Sequence, residues 1–326
     1  MRLIRDKQSG YSLVELMVAM VVSLFLSAGL FSMFAMSSAN VTTTSQFNQL
    51  QENGRIALAL IERDVSQLGF MADMTGTDFV IGMNTQVNAV AIPAASDCIG
   101  GGANNASFPN NQPAHFRRLW GYEQSIGTES FACLSGVTAN TDVLQVKRLI
   151  GPAVTAFNTN RYYMATTASQ AVLFSGDQTA PSIDNARFWE YQHHIYFIKN
   201  DNGVPVLMRR VLGKGGMKTR NSYEQLVEGI ENFRVMYGFD SDGDNTADSF
   251  MPAQNVTSLM WDNGLFRRLV ALRIFLLVRS IDEDTSYSNT KSYVLGDKTI
   301  SASNDGFRRK VVSTTVVLEN PILIRN

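Results

Sequence analysis

The sequence predicts an α+β protein in which one long N-terminal α-helix, membrane-type in its first half and amphipathic in its second, packs on an antiparallel β-rich globular head. Three observations lead there. Residues 16–36 are uncharged and mostly apolar. Apolar residues then recur at helical spacing as far as Leu68. Beyond residue 70 that periodicity gives way to stretches that alternate in the manner of half-buried strands.

The apolar run, LMVAMVVSLFLSAGLFSMFAM, reaches roughly 30 Å at about 1.5 Å per residue, the thickness of a bilayer hydrocarbon core. Arg2, Arg5 and Lys7 precede it and few cations follow before Arg55, so the N-terminus stays in the cytoplasm and the bulk of the chain lies outside. A secretory signal would carry its cut after the run, and no small-x-small boundary stands there. Glu15 opens this otherwise apolar helix. A carboxylate inside a membrane is costly and needs a partner; at headgroup level it would simply be solvated. No proline interrupts residues 11–36, so little kinking is expected.

The second half of the helix shows Phe47, Leu50, Ala57, Leu58, Ile61, Val65 and Leu68 at three- and four-residue steps, one face for a globular core. Gly54 is a weak point and a candidate bend, and Gly69 a candidate stop. The chain thus divides into a hydrophobic transmembrane helix over 11–39, an amphipathic helix over 40–69 and a β-rich head over 70–326. Within the head, the triple glycine at 100–102 and the Asn/Pro-rich stretch after it predict a long loop over 99–113. Strands are expected at 142–149, 170–174, 194–198, 204–211, 233–239, 270–278 and 311–318.

A formal net charge of −1, with 17% charged residues, gives no global basic surface, and no specific nucleic acid is expected as partner. The clusters Arg117/Arg118 and 308–310 are expected to be solvated faces. Two cysteines, Cys98 and Cys133, lack metal-type spacing. In an oxidising space they read as one disulfide closing about 34 residues, worth roughly 3–4 kcal/mol; the alternative is two buried thiols. His193 and His194 would point to opposite faces of a strand and cannot share a metal, and His115 sits in a polar loop. No G-x-S-x-G, Walker or H-E-x-x-H motif occurs, so no catalyst is expected.

Residues 240–248, DSDGDNTAD, place carboxylates at alternate positions. Asp240, Asp242, Asp244 and Asp248, with the Thr246 carbonyl, form a candidate calcium loop of weak affinity. The EF-hand pattern is only partly met, since position six is Asn245 rather than Gly and position twelve is Met251 rather than Glu. The plain alternative is a solvated acidic turn.

The segment GYSLVEL, residues 10–16, resembles the type IV prepilin processing motif, with Tyr11 in place of the more usual Phe. The resemblance implies a leader over 1–10, cleavage by prepilin peptidase between Gly10 and Tyr11, methylation of the new amine, and pairing of Glu15 with the N-terminus of a neighbouring subunit. Residues 51–70, QENGRIALALIERDVSQLGF, are similar to the PilW family of minor pilins at Glu-Asn-Gly-Arg and at Asp64 followed five residues on by Gly69. The order Tyr237-Gly238, acidic loop, LVALRIFLLVRS and RRKVVSTTVVLEN also resembles that family. Residues 71–229 carry no such motif.

The resemblance implies a pilin-like fold and a minor pilin that initiates pilus assembly at the filament tip. It would sit as a single-pass inner-membrane protein with its head in the periplasm, then in the pilus at the cell surface. Implied partners are other minor pilins, the major pilin and a tip adhesin. Competing readings are a minor pseudopilin of a type II secretion system, a tip binding or adhesion module, and a single-pass membrane enzyme that would keep Met1.

Overall fold

A helix-favouring run without proline carries α1 unbroken from Leu13 to Val65 in the computed structural model, which describes residues 10–110, 115–127, 129–217, 223–262, 264 and 267–320. The leader through Ser9, loop residues 111–113 and the tail 321–326 lie outside the described residues. The chain forms two units, Met1–Gln49 and Leu50–Asn326. In the first, the apolar window of α1 has a mean hydropathy of 2.2 and none of it is buried. Phe25 and Phe31 are 73% and 74% exposed, a surface that water disfavours and lipid or a packed partner would cover.

In the second unit the predicted stripe is core: Leu50, Ala57, Ile61, Val65 and Leu68 are fully buried, whereas Phe47, in the first unit, remains 45% exposed. Gly54 is no bend. The helix continues through it because a Cβ there would come within 2.9 Å of Val312 and 3.1 Å of Val278, so glycine permits close helix–sheet approach. Gly54→Leu is therefore expected to destabilise the head by about 1–3 kcal/mol despite better helix propensity, read as a lower urea midpoint. Gly69, at φ 84°, ends the turn after α1 in the left-handed region that glycine tolerates.

The first sheet holds β1 (Thr85–Val87), β2 (Leu119–Glu123), β3 (Asp142–Ile150), β4 (Tyr162–Thr166), β5 (Ala171–Ser175), β6 (Arg187–Asp201), β7 (Val204–Val211) and β8 (Tyr223–Glu228). β6 is its spine: β3 takes one edge, β4 and β7 share the other, and β8 extends from β7. β1 runs parallel to β5, so this sheet is mixed rather than purely antiparallel. The second sheet has the order β10-β9-β11-β14, all antiparallel, from β9 (Ile230–Asp240), β10 (Ser249–Pro252), β11 (Arg268–Arg279) and β14 (Arg309–Val317). A small hairpin, β12 (Tyr293–Leu295) and β13 (Lys298–Ile300), lies between β11 and β14 in the chain. One hydrophobic core joins α1 from Leu50 onward to both sheets.

β2 and β4 escape the alternation test because every residue in them is buried, so no polar face marks a period of two. Cys98 and Cys133 are disulfide-bonded, with Cα atoms 5.2 Å apart and both residues buried. Their loop is not a loose excursion. Asn105 and Ser107 are fully buried, and Lys147 Nζ donates to the Asn105 and Ala106 carbonyls at 3.0 and 2.7 Å.

The basic clusters are not solvated faces. Arg117 and Arg118 are buried, Arg117 against Asp262 at 2.6 Å, and Arg309 is paired with Glu231 and Asp305. Guanidiniums with several carboxylate and carbonyl acceptors can be buried, which the bare sequence does not reveal. His115 is likewise buried, 2.8 Å from Asp78. His193 faces Ser107 and Gln145 while His194 faces Asp64, on opposite sides of β6.

Candidate functional site

At the helix start, Gly10 and Tyr11 precede the first helical residue, and Tyr11 is 88% exposed. The Gly10–Tyr11 bond therefore lies in non-helical backbone that an enzyme can reach. Ser12 is the N-cap: its carbonyl accepts from Leu16 N–H at 3.1 Å and its Oγ from Val14 N–H at 3.3 Å. Glu15 reaches back, and its Oε2 accepts the Ser12 N–H at 2.9 Å. Ser12-Leu13-Val14-Glu15 is thus a capping box, a role the sequence signals by S-x-x-E and that the reading of Glu15 as a membrane carboxylate passed over. The negative side chain also sits where the helix dipole favours it.

The second site is the β9–β10 hairpin loop. β9 delivers Asp240 to its mouth, where the side chain gathers three backbone donors: Gly243 N–H at 2.6 Å, Asp242 N–H at 3.0 Å and Asn245 N–H at 3.0 Å. The Gly243 N–H above all, followed against the opposing effect of burial by those of Asn245 and Asp242, holds its carboxyl below the usual range. Asp242 accepts from Asp244 N–H at 3.2 Å, and Asp244 from Thr246 N–H at 2.7 Å.

The folded loop brings carboxylate oxygens of Asp240, Asp242 and Asp244 within 4.8 Å of one another. Asp248 is not part of that group: it accepts the Ser241 N–H at 2.7 Å and closes the base of the loop. Thr246 turns its hydroxyl to Asp244. Asn245 adopts φ 63° at the position where an EF-hand has glycine, a conformation asparagine tolerates. An all-oxygen, acidic donor set of this kind suits a hard divalent cation.

Two family models match the chain. The prokaryotic N-terminal methylation motif covers residues 5–31, and the model described as type IV pilus-assembly protein W covers residues 195–320. No curated protein and no solved structure matches it. The second matched region begins at Ile195 within β6 and takes in β7, β8 and the whole second sheet, including the acidic loop. The first takes in the capping box and most of the apolar helix.

Proposed function

Because this chain is a type IV pilin-like protein of the PilW family, we propose that it is a minor pilin that takes part in starting the filament at its tip. The supporting observation is the exposed Gly10–Tyr11 bond set just ahead of a capped, lipid-ready helix whose first turn carries a lone carboxylate. The role is assembly rather than chemistry. The apolar half of α1 holds the subunit in the inner membrane, with the head in the periplasm. Prepilin peptidase cuts after Gly10 and methylates the Tyr11 amine, and Glu15 then meets the amine of a neighbouring subunit. Partners are other minor pilins, the major pilin and an adhesin at the tip.

Mass spectrometry of the N-terminus of the mature subunit tests this directly. The expected chain starts at methylated Tyr11; an intact Met1 contradicts the proposal and favours a membrane protein that is never assembled. Deletion separates the pseudopilin alternative, since loss of piliation with exoprotein secretion intact supports a pilus subunit.

We propose in addition that residues 240–248 hold a calcium ion through Asp240, Asp242 and Asp244, with Thr246 and Asp248 completing the loop. The support is the convergence of three carboxylates on one point, which costs mutual repulsion that a divalent cation would relieve. Calcium titration by calorimetry is expected to give a dissociation constant on the order of 10⁻⁴ M or weaker. Asp242→Ala, at an exposed position, should weaken binding by about tenfold or more, the loss of one charged ligand. Equal heats for parent and variant would remove the ion from this loop.

A further inference from the structure

Lys147, on β3, places an amine deep inside the head. The residue is fully buried, and among the described residues no carboxylate is paired with it. Its Nζ instead meets the Asn105 carbonyl and the Asn105 Oδ1, both at 3.0 Å, and the Ala106 carbonyl at 2.7 Å. The centre of the Phe116 ring lies 4.7 Å away.

Asn105 is fully buried too, 42 residues earlier in the chain, within the segment that the Cys98–Cys133 disulfide closes. Its Nδ2 donates to the Gly100 carbonyl at 2.8 Å, which fixes the side of the amide that faces Lys147. Cγ stands one C=O bond of about 1.23 Å from Oδ1, so the amine is within about 4.2 Å of that carbon.

Three features favour reaction over simple contact. Burial above all, opposed by Asp97 and assisted by Arg117, brings the Lys147 amine well below the usual ammonium range, toward the nucleophilic free amine. A buried charge without a counter-ion is costly, and an amide linkage would abolish it. Two groups held side by side in a folded interior also meet at a high effective concentration.

We propose that Lys147 and Asn105 are joined by a side-chain amide bond that the folded head forms by itself. Nζ adds to Cγ, the Cγ–Nδ2 bond breaks, and one proton passes from Nζ to Nδ2, which leaves as ammonia. Nothing is oxidised or reduced, and no co-reactant is consumed. The linked Nζ keeps one hydrogen, for which the Ala106 carbonyl is already in place. Asp97, which accepts the Ser107 N–H at 3.0 Å and its hydroxyl at 2.5 Å, is the buried carboxylate whose charge acts on Lys147, and it is the carrier for the proton. The bond ties the disulfide-closed segment to β3 at a second point, one that reduction leaves intact. This inference concerns the head and does not depend on filament assembly or on the processing of Gly10.

Peptide mass spectrometry of the full chain, purified in detergent, tests it. The disulfide is first reduced and alkylated, because it joins the same two tryptic peptides, residues 64–117 and 119–148. Those peptides are expected to stay together after reduction, uncut at Lys147, and lighter than their sum by the mass of one ammonia. Fragment ions should place the joint between Asn105 and Lys147. Lys147→Met, which keeps an unbranched side chain and removes the amine, should release the two peptides separately.

Free peptides from the reduced parent, with cutting at Lys147, overturn the proposal and leave a buried amine held by three oxygens. A loss of ammonia confined to an unlinked 64–117 peptide overturns it as well, since that is an asparagine closing on its own backbone. A joint that persists in Lys147→Met would involve another residue and is equally fatal. The parent digest decides the question even if the variant does not fold.

Discussion

Subunits carrying Glu15→Gln are expected to enter the membrane and lose their leader like the parent, yet to drop out of sheared filaments by more than about tenfold. The glutamine carbonyl can still accept the Ser12 N–H that Glu15 takes at 2.9 Å, so the helix start stays capped. Only the charge is removed, and with it the pairing proposed with a neighbouring amine in an apolar filament core. An ammonium buried there without a counter-charge costs several kcal/mol, which is why the effect should be large.

Ser12→Ala is the complementary variant. It removes the cap that Val14 N–H uses, at a cost of about 1 kcal/mol, and leaves the carboxylate in place. It should therefore assemble close to parent levels. If capping were the whole role of Glu15, the order would reverse: Glu15→Gln would assemble normally while Ser12→Ala and Glu15→Ala both suffered. Immunoblots of the filament and membrane fractions read the two orders apart.

The second large effect is expected at Asp64, where the amphipathic part of α1 meets the first sheet. Its carboxylate accepts from Arg148 at 2.9 and 2.5 Å, from His194 Nδ1 at 2.5 Å and from Tyr196 OH at 2.6 Å. Asp64→Ala leaves Arg148, 4% exposed, with only Gln67 and a backbone carbonyl as acceptors. Breaking a buried pair on one side costs about 3–5 kcal/mol, seen as a lower urea midpoint for the head. Asp64→Asn should cost less, because its carbonyl still accepts.

The acid limb gives an independent check. Burial alone would raise the Asp64 carboxyl, but the His194 hydrogen bond and charge, then Arg148 and Tyr196, outweigh it and hold the group well below the usual range. A depressed carboxyl stabilises the fold above its unfolded value of about 3.9, and that contribution drains away as pH falls through the lower folded value. The stability gap between parent and Asp64→Asn should accordingly be full above about pH 4–5 and shrink in stronger acid. A gap that stayed constant into strong acid would mean that ionisation of Asp64 does not stabilise the head.

Runs rich in apolar and β-branched residues made several strands legible in advance, including ones buried on both faces. β7 (Val204–Val211) matches its expected bounds, and β3, β5, β9, β11 and β14 fall within a few residues of theirs. Only the centre of β6, residues 194–198 and wholly buried, was expected, although the stretch before it alternates buried with half-buried residues. Similarly, a run of two arginines reads as a surface until a fold supplies Asp262 and buried carbonyls for them.

The long N-terminal helix, its lipid-facing composition and the carboxylate in its first turn were determined by the sequence alone, because they depend on neighbours three or four residues apart. The convergence of Asp240, Asp242 and Asp244 needed only a short loop, yet the exclusion of Asp248 from that group was decided by its bond to Ser241 across the folded hairpin base. The Asp64 cluster, the tight seat of Gly54 against Val312 and the meeting of Lys147 with Asn105 were decided by tertiary structure, since each joins residues far apart in the chain. Local pattern specifies elements, whereas buried polar partners exist only once distant segments have excluded water around them.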